Sequence, residues 1–336
     1  MKKLKLVGIF LLLTLVVFLI LSQTNKQGEL NKITLRLNWT PSAEHAFIYL
    51  GIDKGFYKEK GIDLQVLPSE GSTIVAQLIG NKNNDFGLIS GDTLVMSKIK
   101  GVPITALATL YHSSPAVIYS LKEKNITEPR DLEGKKLGVL IKSTTFQQYQ
   151  GMLNSAGVDR SKITEVPVSG NVQELLSGSV DAAMHYTNYL PIQIRELGYN
   201  INEIFMKDYG INIYSQTLIT NGDYIKNKSD LVQRFVDASL KSLEYTKTHP
   251  EEAIDSLLKY HPELDRKLQM AMLKRTNELI FDTDAQKNGA GYMTQEGWQE
   301  TEDTLFKVGL IDRKIAPTNF FDDTFWRSYN KASTNR

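Results

Sequence analysis

The 336-residue sequence contains no cysteine, which excludes disulfide bridges, thiolate catalysis and zinc–sulfur sites. It also has no excess of either charge, since 39 Lys and Arg residues balance 38 Asp and Glu residues and leave a formal net charge of +1. Because the sequence has no excess or cluster of basic residues, it predicts no nucleic-acid partner. The chain is nevertheless long enough to form two domains with separate cores.

The common catalytic motifs are absent as well. The sequence has no Gly-x-Ser-x-Gly elbow and no phosphate-binding loop that ends in Gly-Lys-Ser or Gly-Lys-Thr. The five histidines do not have the spacing of metal ligands. These absences favour a binding protein over an enzyme, and they predict neither a cofactor nor a metal ion.

The N-terminus resembles an export signal. Three lysines among the first five residues precede an apolar run over residues 6–21, and a polar segment follows. This pattern is typical of a secretory signal or a short signal anchor. No small-x-small cleavage site and no lipobox cysteine follow the run, so residues 1–27 are interpreted as a signal peptide or as a membrane anchor. The positive flank places the main body outside the cytoplasm, in either case.

The stretch from Leu35 to Gly71 predicts one strand–helix–strand unit. Residues 33–37 alternate like a strand, residues 43–54 have helical spacing, and residues 62–67 form a second strand. Ligands bind beyond the carboxyl ends of the strands in such sheets. Trp39 lies in the turn at that end, and Glu44 and His45 begin the helix.

Two further helix starts follow predicted strands. Ser90 and Asp92 open a helix over residues 93–100, and Thr144 precedes a helix over residues 146–156. Free backbone N–H groups at a helix start favour anionic or acceptor atoms of a ligand. The alternative is that Asp92 and Thr144 only cap their helices, and the two roles are compatible.

Aromatic and polar residues also follow two later strands. A flat heteroaromatic ring gains from stacking on aromatic faces, and a few polar groups would orient it, as in most small-molecule pockets. The alternative for each aromatic residue is a place in the core. The candidate ligand-binding residues are Trp39, Glu44, His45, Ser90, Asp92, Tyr111, His112, Thr144, His185, Tyr186 and Asn188.

The order of strands predicts two α/β domains. A strand over residues 116–121 directly follows another strand, and a strand over residues 212–221 precedes a helical C-terminal part. We interpret these two strands as hinge strands. The first domain then contains residues 31–112 and 220–330, and the second contains residues 114–219.

Several segments resemble a known family. "LNWTP", "GIDKGFYKEKGIDLQV", "GSTIVAQLIGNKNNDFGLISG" and "SGSVDAAMHYTNYLPIQIRELG" are similar to the thiamine-precursor-binding group of ABC-transporter solute receptors, which is close to the nitrate, sulfonate and riboflavin receptors. The resemblance covers roughly residues 33–328. It implies a two-domain periplasmic binding protein type 2 fold, a small heterocyclic ligand in the interdomain cleft and an ABC permease as partner.

Two departures from the family concern the ligand and the activity. Pyrimidine-binding members tend to carry a carboxylate in the segment matching residues 185–194, which has no acid here. Either Glu44 or Asp92 replaces it, or the ligand is riboflavin or another planar heterocycle. A sulfonate or nitrate receptor of the same fold is a further alternative. The fungal thiamine-pyrimidine synthases of this fold have a cofactor-binding lysine, a reacting histidine and a cysteine-rich iron motif. Asn83 and Asp92 stand at the matching positions, with Lys82 one residue away, so synthesis is the minority alternative to binding.

Overall fold

The computed structural model describes residues 29–141 and 143–334, so the predicted signal or anchor segment lies outside the described residues. Within these residues, no helix combines the length and apolar character needed to cross a membrane. The strands are β1 (Asn31–Arg36), β2 (Ile62–Leu67), β3 (Phe86–Ile89), β4 (Ile104–Tyr111), β5 (Ala116–Leu121), β6 (Lys136–Val139), β7 (Thr164–Pro167), β8 (Ala182–Tyr186), β9 (Ile201–Phe205) and β10 (Ser215–Asn221).

Helices connect and cover these strands. They are α1 (Ala46–Asp53), α2 (Phe56–Glu59), α3 (Ser72–Gly80), α4 (Gly91–Ile99), α5 (Thr144–Ala156), α6 (Val172–Leu176), α7 (Leu190–Glu196), α8 (Gly222–Asn227), α9 (Ser229–Thr248), α10 (Pro250–Tyr260), α11 (Arg266–Ile280), α12 (Thr283–Asn288), α13 (Gln295–Lys307) and α14 (Thr324–Thr334).

The strands form two mixed sheets of five strands each. The first sheet has the order β2-β1-β3-β10-β4, in which β10 runs antiparallel to both of its neighbours. The second has the order β7-β6-β8-β5-β9, in which β5 is the antiparallel member. Residues 116–205, which build the second sheet, are called the second lobe below. The first sheet with the segments around it is called the first lobe.

Each of the two strands interpreted as hinge strands lies wholly within one sheet. β5 pairs only in the second sheet, and β10 pairs along its length with β3 and β4 of the first. The chain therefore crosses between sheets at residues 112–115 and 206–214. The sheet boundary falls before Ser215 rather than at residue 219, because alternation predicts a strand but not the strands with which it pairs.

The first lobe has a tight apolar core between its sheet and α9. Phe86 of β3 stacks on Phe235 of α9 with ring centroids 3.8 Å apart, and both side chains are fully buried. Burying one such side chain contributes roughly 1.5–3 kcal/mol. α1 approaches α9 closely at Gly51, where a Cβ atom would lie 2.7 Å from the Tyr57 ring and 2.8 Å from the Ser242 hydroxyl. This packing holds α1, and the turn before it, against the sheet.

Candidate ligand-binding cleft

A cleft lies where strand ends of the two lobes face each other. It contains about 540 Å³ of space outside protein atoms, open solvent at its mouth included. Residues after β1 and at the start of α3 form one wall, and residues after β6 and around the end of β8 form the other. The lining residues are Asn38, Trp39, Glu44, Gly71, Ser72, Leu140, Ser143, Thr144, Thr145, His185, Tyr186 and Tyr189.

Five of the eleven candidate residues line this cleft: Trp39, Glu44, Thr144, His185 and Tyr186. The other candidates, which the lining does not include, are His45, Ser90, Asp92, Tyr111, His112 and Asn188. The sequence interpretation missed Asn38, Gly71, Ser72, Leu140, Ser143, Thr145 and Tyr189. Most of these are next to predicted residues, and Ser72 begins a helix after a strand, the same signal that singled out Ser90 and Asp92.

Aromatic rings from both lobes meet at the cleft. The Trp39 ring lies edge-on to His185, with centroids 6.4 Å apart, and His185 stacks on Tyr189 at 4.7 Å. His185 Nδ1 accepts a hydrogen bond from the Tyr186 backbone N–H at 2.9 Å. Burial lowers the pKa of His185 to about 4. The neutral ring therefore carries its proton on Nε2, which makes this nitrogen a donor.

Glu44 places a carboxyl group in the cleft wall of the first lobe. Glu44 is only 8% exposed. Burial raises the pKa of its carboxyl group to about 7, although hydrogen bonds from Asn38, Asn188 and Tyr111 oppose this rise. The contacts are long, at 3.4 Å from Asn38 Nδ2 to Glu44 Oε1 and 3.3 Å from His45 Nε2. The carboxyl group is therefore weakly satisfied by the protein, and it changes protonation state near neutral pH.

His45 lies behind the cleft wall rather than in the lining. It is fully buried, and burial lowers its pKa to about 3. Its Nδ1 accepts from the Ser42 backbone N–H at 3.3 Å, so the proton is on Nε2, which donates to Asn38 Oδ1 at 2.8 Å. The short helical turn over Ala43–His45 points this ring inward, where it orients Asn38.

Asp92 and Ser90 form part of a polar layer beneath the cleft. Asp92 is fully buried and accepts hydrogen bonds from the Thr93 backbone N–H at 2.5 Å and from Gln148 Nε2 at 2.7 Å. Gln148 belongs to α5 of the second lobe, so this bond joins the lobes. The Ser90 hydroxyl lies 3.3 Å from that of Ser215. Neighbouring protein groups contact both candidates, and neither belongs to the cleft lining.

Tyr111 and Asn188 also meet between the lobes. Asn188 Nδ2 donates to the Tyr111 hydroxyl at 3.3 Å and to the Thr276 hydroxyl at 3.0 Å. His112 points away from the cleft, because its ring nitrogens lie 3.3 Å from Asp282 Oδ2 and 3.0 Å from the Tyr292 carbonyl oxygen. These contacts connect residues more than 70 positions apart, so local sequence patterns do not predict them.

Lys82, the lysine nearest the synthase pattern, is far from the cleft. It follows the C-terminal end of α3, and its ammonium group pairs with Asp223 at 2.5 Å on the surface. The cleft is at the opposite end of α3, where Ser72 lines it. A nine-residue helix is ~13 Å long at 1.5 Å per residue. Lys82 therefore does not reach the cleft in this conformation.

The chain belongs to the NMT1/THI5-like family, whose model matches residues 42–253. It is 25% identical over 328 residues to a formylaminopyrimidine-binding protein of Halalkalibacterium halodurans, covering 96% of this chain and 98% of the relative. It is 24% identical to the riboflavin-binding protein RibY of Chloroflexus aurantiacus, covering 90% and 88%. It is 26% identical to the 4-amino-5-hydroxymethyl-2-methylpyrimidine phosphate synthase THI5 of Saccharomyces cerevisiae, covering 73% and 76%. The predicted family resemblance is confirmed.

Solved structures define the fold class. The periplasmic nitrate-binding protein NrtA from Synechocystis PCC 6803 superposes with a TM-score of 0.69 at 14% identity, covering 90% of this chain and 89% of that one. The periplasmic aliphatic sulphonate-binding protein SsuA from Escherichia coli gives 0.66 at 13% identity, covering 89% and 94%. At such identities the likeness shows the fold alone, and it confirms the predicted α/β periplasmic-binding-protein architecture.

Proposed function

We propose that the protein is the extracytoplasmic solute receptor of an ABC importer and that its ligand is a planar heterocycle with an amino group. The class includes the thiamine pyrimidine precursors. The observation that carries this proposal is Glu44, a buried and weakly satisfied carboxyl group in a cleft with aromatic walls. The named functions of the formylaminopyrimidine-binding and riboflavin-binding relatives support it.

The chemistry of the lining favours this ligand class over anions. Trp39, Tyr186 and Tyr189 offer aromatic faces to a flat ring. Glu44 would accept a hydrogen bond from an exocyclic amine. The sequence predicted this role for either Glu44 or Asp92. None of the lining residues that the structure describes carries a positive charge, so nitrate and sulfonate would meet no fixed counter-charge among these described residues. Riboflavin, which is also planar, is the second candidate.

Transport would follow from closure around the ligand. The predicted domains are residues 31–112 with 220–330 and residues 114–219. In this proposal the second change of domain lies at the sheet boundary before Ser215, so that residues 215–219 join the first domain. Movement at the two crossing segments would open and close the cleft, as in other hinged receptors. The closed form would then be presented to a membrane permease. No cofactor and no catalytic step are required.

Thermal unfolding of the purified protein against a ligand panel tests the proposal. The panel contains aminopyrimidine thiamine precursors, thiamine, riboflavin, nitrate, taurine and pyridoxal phosphate. A ligand at 100 times its dissociation constant adds about 2.7 kcal/mol to the free energy of unfolding. We expect the midpoint to rise with an aminopyrimidine. A rise with riboflavin alone would change the ligand, and a rise with pyridoxal phosphate alone would favour the synthase.

A further inference from the structure

Gln216 has an unusual backbone conformation for its place in the fold. Its φ angle is 44°, in the left-handed region, although it is not a glycine and belongs to strand β10. Positive φ is uncommon for residues other than glycine, because the Cβ atom makes this backbone conformation strained. The residue is only 1% exposed. Such strain in a buried residue, directly after the chain crosses between the lobes, suggests that the Gln216 side chain is needed at the cleft.

The strand pairing keeps its register across the strained position. Ser215 pairs with Tyr111 and Thr217 pairs with Thr109, Gln216 between them forms no ladder pair, and the register shift of this strand comes later, between Leu218 and Ile219. The Gln216 side chain reaches the end of β1, where its Nε2 lies 3.4 Å from Asn38 Oδ1. The strand β3 stands between β1 and β10 in the sheet, so the amide extends past the end of the neighbouring strand.

Asn38 receives donors from two sides. His45 Nε2 lies 2.8 Å from the same oxygen that Gln216 approaches. Because both nitrogens donate, the acceptor end of the Asn38 amide is fixed toward the interior. Its NH₂ group is then directed toward Glu44 Oε1, at 3.4 Å, and Asn38 lines the cleft. The wall of the first lobe consequently offers an N–H donor next to a carboxyl acceptor.

We propose that Gln216 is a positioning residue for ligand recognition, which acts by fixing the orientation of the Asn38 amide. This inference rests on the proposed function. The donor and acceptor together match the edge of a ring that has an amino group beside an unprotonated ring nitrogen. The amine donates to Glu44, and the ring nitrogen accepts from Asn38. A 4-oxopyrimidine has the opposite order of donor and acceptor, so the same wall discriminates against it.

Substitutions at Gln216 separate its amide from its backbone strain. Gln216→Gly removes the side chain and adopts positive φ without strain. Gln216→Met keeps a side chain of similar length and the same strain but cannot donate. We expect both variants to bind a 4-aminopyrimidine about 3- to 10-fold more weakly, which is the usual range for losing one hydrogen bond. The unfolding midpoint should stay equal or rise for Gln216→Gly.

The decisive readout is selectivity, measured by calorimetric titration of each variant with a 4-aminopyrimidine and its 4-oxo analogue. The preference for the amine should fall in both variants. Thr217→Ser, one residue along the same strand, keeps a hydroxyl near Thr109 and should leave affinity and selectivity unchanged. Unaltered selectivity in Gln216→Gly would overturn the positioning role while the wild type still binds the amine. If the wild type binds no ring compound, the proposed function itself fails, and this role with it.

Discussion

Glu44 and Asp92 are both buried carboxyl groups in the first turn of a helical segment of the first lobe, but their surroundings differ. Asp92 accepts short hydrogen bonds of 2.5 Å and 2.7 Å from Thr93 and Gln148. The distances from Glu44 to Asn38 and His45 are 3.3–3.4 Å. Asn188 and Tyr111 also donate to Glu44, but its contacts with Asn38 and His45 are long, and a buried acceptor with poor donors is costly. The comparison indicates that Asp92 serves the structure, whereas in the proposed function a ligand completes the contacts of Glu44.

The difference comes from the opposite lobe. Gln148 of α5 covers Asp92 and bridges it to the Ser114 hydroxyl at 2.5 Å. Asn188 of the second lobe also donates to Glu44, but Glu44 borders the cleft, whose far wall contains His185 and Tyr186. The position of a carboxyl group at a helix start therefore does not decide its role. The role depends on what the second lobe places against it.

The largest expected effect is the pH dependence that Glu44 gives to folding. Its pKa of about 7 in the folded protein lies above the ordinary value of 4.5, so the folded state binds this proton more tightly. The resulting stabilisation is complete below pH 4.5 and is lost as the pH rises through 7. The gap corresponds to about 3 kcal/mol.

Glu44→Gln should remove this contribution. Urea unfolding of both proteins between pH 4.5 and 8 measures the change. The free energy of unfolding of the wild type should fall by about 3 kcal/mol more than that of the variant. Burial also raises the pKa of Asp92, but this contribution is common to both proteins and cancels. Parallel pH profiles would contradict the assignment.

The next effect concerns binding. Glu44→Gln replaces an acceptor by a group that can present an N–H to the amine of the ligand. A hydrogen bond to a charged group contributes about 1.5–3 kcal/mol, so we expect affinity for an aminopyrimidine to fall about 10- to 100-fold. Isothermal titration calorimetry measures this loss. Wild-type affinity in the variant would place the amine elsewhere in the cleft.

Strand ends predicted much of the cleft, and long-range contacts explain the rest. Trp39 and His185 follow β1 and end β8, and both line the cleft, as the position beyond a strand's carboxyl end suggests. His112 also follows a strand, but its ring turns to Asp282, 170 residues later. Periodicity contains no information on such a contact. Asp92 was a candidate for the same local reason, and only the tertiary position of Gln148 separates it from Glu44.

Asp92→Asn should act on stability rather than on binding directly. The new NH₂ group would face either the Thr93 N–H or the Gln148 NH₂, so one donor loses its acceptor. We expect a loss of about 1–2 kcal/mol in the free energy of unfolding at pH 7, measured with urea. Combining it with Gln148→Glu restores a donor–acceptor pair and should recover part of the loss, as a double-mutant cycle would show. Additive losses would contradict the contact between the lobes.

The smallest expected effect is that of Tyr186→Phe, which tests whether a cleft residue contributes through its ring or its hydroxyl. The hydroxyl lies 3.2 Å from Ser215 and 3.3 Å from Thr144, and both distances are long for O–H···O bonds. Phenylalanine keeps the aromatic face. Affinity for the aminopyrimidine should therefore change by less than about twofold, and stability by about 1 kcal/mol or less.

Tyr186→Leu, which removes the aromatic face, is the matched comparison in the same titration and should weaken binding more. Equal losses in both variants would mean that the hydroxyl contributes to recognition, in which case the polar layer beneath the cleft also takes part in holding the ligand.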